Sequence, residues 1–394
     1  MSWKKVAALL FGLMLVTTGL AFSGVSAAGG SVTVILVSDN EADSALAEYL
    51  ANLTGAVVVT TPWGVYSPDV TALVMAHAPD RVVIIGGPDA VLEQYETDLM
   101  DLNTTVERWW GPNRYGTNLA VIGNATATLG LRFEDEVFVA PGNDTAAIRV
   151  AIRRAAGVHG VVVYTNGTGE PSRVLRRLGI KPWKVVVVIS PLTEGILGKF
   201  RAGGGCNASV TEVKVNVTAE TALGVINMSR ERIRLAKELL ANVTLPPQLE
   251  RTAGRMLLLA ERELNASVRA YEKGNYGRAY GLAMASKSHA EFVIKIASRE
   301  WRMKVRFDPA MRYRVFLNRV EIQLQLMESA GINVTELREL VEALRQAVEK
   351  GDYDVAHYLM QKIRMELVKL YFKDRIRFRE HVVFPAHRRC GMMP

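Results

Sequence analysis

Residues 81–90 of this chain read Arg-Val-Val-Ile-Ile-Gly-Gly-Pro-Asp-Ala, an apolar run that ends in two glycines and a proline. Similar β-branched runs lie at residues 32–37, 56–60, 136–140, 160–164 and 184–189. Runs that are apolar at nearly every position, separated by amphipathic stretches, are typical of parallel strands buried on both faces. The sequence therefore predicts an α/β fold built from Rossmann-like, parallel-sheet modules.

The six runs form two sets of three. Residues 57–59 match residues 161–163, and residues 82–85 match residues 185–188, at offsets of 103 to 104. A fixed offset of this kind indicates an internal duplication. We predict a duplicated α/β domain over residues 31–200, with copies at about 31–117 and 118–200, each reading strand-helix-strand-helix-strand.

The second half of the chain has a different pattern. A glycine-rich joint predicts a linker over 201–219, within which residues 211–218 have strand-like composition. Residues 220–382 are predicted as an all-α bundle of two three-helix repeats, followed by a tail over 383–394. The octapeptide at 272–279 recurs at 349–356, displaced by 77 residues. In each copy, a glycine followed by Asn or Asp predicts a helix C-cap next to an N-cap.

The N-terminus has the pattern of an export signal. Lys4 and Lys5 precede an uncharged apolar stretch, and Val25-Ser26-Ala27 offers a cleavage site between small residues. We predict a signal peptide over residues 1–27 and a secreted or cell-surface protein. The alternative is that the segment stays uncleaved and retains the chain at a membrane.

Asparagines are concentrated in the glycosylation acceptor pattern Asn-x-Ser/Thr. Of sixteen asparagines, eleven occupy that pattern, whereas random placement would put about two there. The sequence therefore predicts an extracellular glycoprotein. The predicted sites are Asn52, Asn103, Asn124, Asn143, Asn166, Asn207, Asn216, Asn227, Asn242, Asn265 and Asn333.

The two cysteines, Cys206 and Cys390, could form one disulfide in an exported protein, or they could remain as two free thiols. We predict the disulfide. His381, His387 and Cys390 match no zinc-ligand spacing, and no metal site is predicted.

Charge divides unevenly along the chain. The 48 Lys and Arg against 40 Asp and Glu give a net charge of +8. Residues 28–200 carry 13 basic and 18 acidic residues, net −5, and residues 201–394 carry 33 and 22, net +11. The basic stretches at 295–319 and 362–389 could be solvated helix faces. Alternatively, they attach to anionic lipid, acidic glycans or an acidic protein surface, the chain's own acidic half included. For an exported protein, nucleic acid is not expected as a partner.

Residues 108–117 read Arg-Trp-Trp-Gly-Pro-Asn-Arg-Tyr-Gly-Thr. This string follows a strand ending in Gly-Gly and resembles the cell-wall-binding repeat type 2 family, whose signature is Arg-x-x-Gly-x-x-Arg-Tyr-x-Thr. The resemblance covers about residues 31–200. It implies non-covalent attachment of an exported protein to an envelope polymer. Family members usually carry three modules and this chain has two, and Ile189-Ser190-Pro191 stands where a second Gly-Gly would be expected.

The strand ends and the resemblance together select ten candidate ligand-binding residues. Gly86 and Gly87 permit a tight turn, and Asp89 is placed to cap the next helix. An alternative interpretation makes Arg114 and Tyr115 a structural junction between modules. The full candidate set is Asp39, Asp43, Gly86, Gly87, Asp89, Arg114, Tyr115, Thr117, Gly142 and Asp144.

Enzymatic motifs are missing from the sequence. There is no nucleophile elbow, P-loop, zinc-protease motif or dinucleotide fingerprint, so no enzyme activity and no cofactor are predicted. We predict an envelope protein of archaeal origin that attaches through its α/β repeats to a surface glycan or an S-layer component. One alternative is a helical protein-interaction module on a vestigial α/β scaffold, and a less favoured one is a surface hydrolase.

Overall fold

The computed structural model describes residues 31–101, 103–166, 179–190 and 209–374. The predicted signal peptide, Asn207, both cysteines and the predicted tail lie outside these residues. The described residues from Ser31 onward form one compact unit. In this part of the chain, no helix combines the length and apolar character needed to cross a bilayer.

Two four-stranded parallel sheets make up the α/β half, which confirms the predicted fold class. Sheet A has the order β2-β1-β3-β4 and sheet B the order β6-β5-β7-β8. The strands are β1 Thr33–Ser38, β2 Val57–Thr61, β3 Arg81–Ile85, β4 Thr105–Trp109, β5 Glu134–Pro141, β6 Gly160–Thr165, β7 Lys184–Ile189 and β8 Ser209–Lys214. The same order in both sheets matches the duplication read from the sequence.

Each sheet has one strand more than the three predicted for each copy. The extra strands, β4 and β8, lie at sheet edges and read Thr-Val-Glu-Arg-Trp and Ser-Val-Thr-Glu-Val-Lys. Most positions of these two strands are exposed or half-buried, so the strands mix polar and apolar residues and escape a search for fully apolar runs. Because β8 pairs with β7, the second module extends beyond residue 200, and residues 209–214 are not linker.

Within the described residues of the α/β half, five helices accompany the strands: α1 Glu41–Thr54, α2 Pro68–Ala76, α3 Glu93–Met100, α4 Arg114–Leu129 and α5 Thr145–Val158. Helix α4 spans the predicted module boundary at 117/118 and lies between the sheets. Its Val121 packs in the core of sheet A, whereas Ile122 packs in the core of sheet B.

The helical half follows the predicted pattern of two three-helix units. The first comprises α6 Ala219–Asn242, α7 Pro247–Glu272 and α8 Tyr276–Phe307, and the second α9 Pro309–Ser329, α10 Thr335–Lys350 and α11 Tyr353–Lys373. Gly274 and Gly351 adopt positive φ angles of 73° and 74°, a conformation that glycine tolerates. The Asn275 and Asp352 side chains accept hydrogen bonds from the backbone N–H of Arg278 and Val355. The capping prediction is confirmed at both turns.

The two halves share one apolar core. Leu317 and Leu324 of α9 pack in the same cluster as Val74 of α2, Leu99 of α3 and strand residues of sheet A. The same cluster continues into α10 and α11. Hydrophobic burial therefore holds the helical half against sheet A.

This shared core predicts that both halves unfold together. Leu324 is fully buried, and Leu324→Ala is expected to lower the free energy of unfolding by about 2 to 5 kcal/mol. Chemical denaturation followed by circular dichroism and tryptophan fluorescence should show one transition, displaced equally in both signals. Leu258→Ala on α7, where the side chain is exposed, is the matched control and should change little. A fluorescence transition that stays unchanged while the helical signal weakens would show that the halves are independent.

Candidate functional site

The sequence-selected residues meet at the carboxyl ends of β1 and β3. These strands are central neighbours in sheet A, and ligands of open α/β sheets bind in the crevice where the connections diverge. Asp39 follows β1, Asp43 lies in the first turn of α1, and Gly86 and Gly87 follow β3. Gly86 has a φ of +120°, and a Cβ placed on it would lie 3.7 Å from Asp43 Oδ2. The structure thus brings these four predicted residues together.

Helix α6 covers this crevice with a buried arginine. Arg232 donates from Nη1 to Asp39 Oδ2 at 2.8 Å and from Nη2 to Asp39 Oδ1 at 2.6 Å. Its Nε donates to Glu291 of α8 at 3.3 Å. A bidentate arginine on a carboxylate is the geometry used to recognise an anionic group. Arg232 therefore already binds the Asp39 carboxylate, which is one of the ligand-binding groups predicted from the sequence.

Asp43 is buried beneath the same helices. Burial raises the pKa of its carboxyl to about 6, although Arg114 and Lys287 act to lower it. Lys287 itself pairs with Glu291 at 3.0 Å. Asp43 therefore belongs to a charge network that joins α1, α4 and α8, and it exchanges its proton near pH 6.

Asp89 does not cap a helix, contrary to the prediction. Helix α3 begins only at Glu93, with Leu92 at the N-cap position. Asp89 pairs with two residues of α8, Arg302 at 2.8 Å and Lys295 at 2.7 Å. Burial alone would raise the pKa of Asp89, but the hydrogen bonds from Lys295 and Arg302 outweigh it and lower the pKa. The turn after β3 is thus a docking point for α8.

The equivalent edge of sheet B is closed in the same manner. Asp144 caps α5 by accepting a hydrogen bond from the Ala147 N–H at 3.1 Å. Tyr280 of α8 donates to the same carboxylate at 3.1 Å, and Ser190 donates to its other oxygen. Helix α8 therefore closes the strand-end side of both modules.

Arg114, Tyr115, Thr117 and Gly142 form the junction between the modules. Arg114 Nη1 donates to the Gly142 carbonyl at 2.9 Å, and a Cβ on Gly142 would come within 2.7 Å of the Tyr115 ring. Thr117 Oγ1 accepts from the Gly111 N–H at 3.1 Å. These contacts explain the family-like signature as the residues that build a corner, as the structural interpretation of Arg114 and Tyr115 expected.

Sequence reasoning missed a buried asparagine at this junction. Asn118 of α4 donates to the Val162 carbonyl at 2.9 Å and accepts from the Tyr164 N–H at 3.0 Å. It thereby satisfies backbone groups of edge strand β6. No sequence signal separates Asn118 from a surface asparagine, since its partners belong to the other module.

Some of the opposite charges of the two halves form ion pairs between the halves. Arg319 of α9 is fully buried and lies 2.8 Å from Asp98 of α3, and Arg364 of α11 lies 2.8 Å from Asp101. Together with Arg232, Lys295 and Arg302, five cations of the helical half pair with aspartates of the α/β half. The buried Arg319 left a signal in the sequence, since it lies among the apolar positions of α9.

The acceptor asparagines lie on the outside. Of the ten that the structure describes, nine are exposed and Asn124 is half-buried. In two of these acceptor patterns the hydroxyl of the third residue is buried: Ser229 donates to Ser286 and Ser267 donates to the Ala279 carbonyl, both at 2.6 Å.

The described residues include no group of three His, Cys, Asp or Glu side chains arranged to hold a metal ion.

Comparison with known proteins gives likenesses in sequence and in structure. No protein-family model matches the chain. An uncharacterized protein of Methanocaldococcus jannaschii is 35% identical over 203 residues, which are 48% of this chain and 55% of that protein. This chain therefore matches about half the length of that curated relative.

Among solved structures, Cwp6 from Clostridium difficile matches 47% of this chain and 30% of its own, with a TM-score of 0.37 and 17% identity. At that TM-score the likeness carries no argument about fold or function.

The arginine on the crevice predicts a strong dependence of stability on Arg232. Arg232→Met keeps much of the side-chain volume but leaves Asp39 without its bidentate partner, and we expect a loss of about 3 kcal/mol in unfolding free energy. Denaturant titration at neutral pH measures it. Arg230→Met, on an exposed position of the same helix, should have little effect. A variant at Arg232 as stable as the wild type would contradict the pairing.

The Asp43 carboxyl predicts a particular pH dependence. Because its pKa rises from 3.8 unfolded to about 6 folded, ionisation disfavours the folded state. The protein should lose stability as pH rises from about 4 to 6 and keep that deficit above. Asp43→Asn should remove this loss, a difference of about 3 kcal/mol at pH 7, measured by denaturant titration across the pH range. The exposed Glu93→Gln is the control, and a variant whose pH profile follows the wild type would refute the assignment.

Proposed function

We propose that this chain is an exported glycoprotein of the cell envelope in which two α/β modules form a scaffold and the helical half makes the contact with the envelope. The observation that carries the proposal is the closure of both strand-end edges by α6 and α8. Asp39, Asp89 and Asp144 have intramolecular partners, so a surface polymer would have to displace the chain's own side chains. This favours the helical interaction module over attachment through the α/β repeats.

Export rests on two features that support each other. The acceptor asparagines are far more frequent than chance placement gives, and the described ones lie at exposed or half-buried positions, where a glycan can be carried without disturbing the core. A surface glycan or an S-layer component is the proposed partner class at the envelope, and for the basic helical half the class also includes an anionic lipid or acidic protein surface. No catalytic role and no cofactor are proposed.

Retention on isolated envelopes tests where the contact lies. The full chain is the right sample because the two halves share a core. We expect it to sediment with purified envelopes at low salt and to be released as salt rises, because exposed charges are screened. Trp110, half-exposed against Gly87, is the aromatic side chain best placed to meet a polymer at the edge of sheet A.

If the helical half makes the contact, Trp110→Ala should leave retention unchanged within about twofold. Thermal unfolding checks that this variant is folded. A tenfold loss of retention in this variant would return the contact to the α/β modules. Failure of the wild-type chain to sediment would refute envelope attachment altogether. Glycopeptide mass spectrometry on the native protein tests export separately: unmodified asparagines at every predicted acceptor would refute the glycoprotein assignment.

A further inference from the structure

The basic residues at 295–319 separate into two sets in the folded chain. Three of the eight, Lys295, Arg302 and Arg319, pair with aspartates of the α/β half. The other five are exposed and make no ion pair within the described part of the chain: Arg299, Lys304, Arg306, Arg312 and Arg314. Only the second set is free to meet a partner.

The free cations surround the turn between α8 and α9, here called the α8–α9 corner and defined by residues 299–314. Asp308 ends one helix and caps the next, accepting from the Ala310 and Met311 N–H groups at 2.9 and 3.3 Å. Five unpaired cations therefore face two acidic residues, Glu300 and Asp308. The corner is a compact positive surface.

Large apolar side chains project from the same corner. Phe307 is 67% exposed and Met303, one turn earlier on the same face of α8, is 45% exposed. The Arg306 guanidinium lies 5.5 Å from the Phe307 ring centroid. The neighbours Val305 and Tyr313 are buried, so the corner is anchored and the exposed side chains are held outward.

Helix stability does not account for this arrangement. Lys304 and Arg306, in the last turn of α8, stabilise the helix because their positive charges interact favourably with its dipole. Arg312 and Arg314 lie near the beginning of α9, where positive charge is unfavourable and where no acidic residue stands in the first turn. Nor does helix stability call for an exposed phenylalanine.

From these observations, we infer that the α8–α9 corner docks on the surface of an anionic phospholipid bilayer. Lysine and arginine side chains meet the negative headgroups, and Phe307 with Met303 enters the apolar boundary beneath them. An acidic glycan would use the cations but would leave the two apolar side chains in water. The bilayer therefore explains both parts of the corner.

The distribution of acceptor asparagines agrees with this surface. Between Asn265 and Asn333 the sequence contains no acceptor pattern, so the whole corner is clear of the proposed glycans. Bulky glycans would obstruct contact with a bilayer. The inference deepens the proposed function, because it names the surface of the helical half that makes the envelope contact.

Sedimentation of the purified full chain with lipid vesicles tests the inference. One set of vesicles is pure phosphatidylcholine, and the other is an equimolar mixture of phosphatidylcholine and phosphatidylglycerol. We expect binding to the anionic vesicles only. The double variant Lys304→Gln and Arg306→Gln should bind about thirtyfold more weakly, from roughly fivefold per cation, and Phe307→Ser about tenfold more weakly.

Helix α7 provides matched controls. Arg255 and Arg262 are exposed, and Leu258 is 48% exposed. Arg255→Gln with Arg262→Gln, and Leu258→Ser, should bind anionic vesicles as the wild type does. Because all substituted positions are exposed, every variant should keep the wild-type unfolding midpoint.

Three outcomes would overturn the inference: no binding of the wild type to anionic vesicles, equal loss in the α7 controls, or unchanged binding by Phe307→Ser. The last would assign the corner to a soluble polyanion such as an acidic glycan or peptide. The vesicles contain no protein or glycan. A lack of binding to vesicles would therefore not contradict a positive result in the envelope-retention experiment. The two proposals can therefore fail separately.

Discussion

The packing of α9 against α2 and α3 fixes how the rest of the molecule is arranged. Leucines of α9 complete a core that the α/β half leaves open, and within it the fully buried Arg319 meets Asp98. A buried guanidinium without its carboxylate would be strongly destabilising, so this pair tolerates little displacement of one half against the other. Once α9 is placed, α8 runs along the strand ends of both sheets.

Because α6 and α8 cover those strand ends, the polar residues there have a different role from the one that the sequence motifs suggested. In open α/β sheets, polar groups beyond the strands commonly receive a ligand. Here Asp39 forms an ion pair with Arg232, and Asp89 forms ion pairs with Lys295 and Arg302. Asp144 accepts a hydrogen bond from the Tyr280 hydroxyl. Arg114 and Tyr115 of the 108–117 signature contact Gly142 at the junction between the modules. In the α/β half, the strand-end edges where open sheets commonly bind a ligand are used for internal assembly.

Local patterns explain what could be predicted from the sequence. Fully apolar strands, the offset between modules and the glycine caps at Gly274 and Gly351 depend on residues close in the chain, and all were predicted. Strand β4 was missed because its exposed and half-buried positions interrupt the apolar run, and β8 was recognised only as a strand-like piece within the predicted linker. The clustering of Asp39, Asp43 and Gly86 followed from parallel topology. Their partners did not, because the segmental charges of −5 and +11 indicate attraction between halves without indicating which residues meet.

If Asn227 and Asn265 are glycosylated, the buried hydroxyls of Ser229 and Ser267 determine when this can happen. Each completes an acceptor pattern whose asparagine is exposed, yet each hydroxyl is committed to a hydrogen bond within the three-helix unit. A glycosyltransferase that reads the hydroxyl can reach Asn227 and Asn265 only before α6, α7 and α8 have packed together. Modification at these two positions would therefore record that the enzyme met the chain while it was still unfolded, whereas Asn333, in a turn with its Thr335 exposed, stays open to the enzyme afterwards.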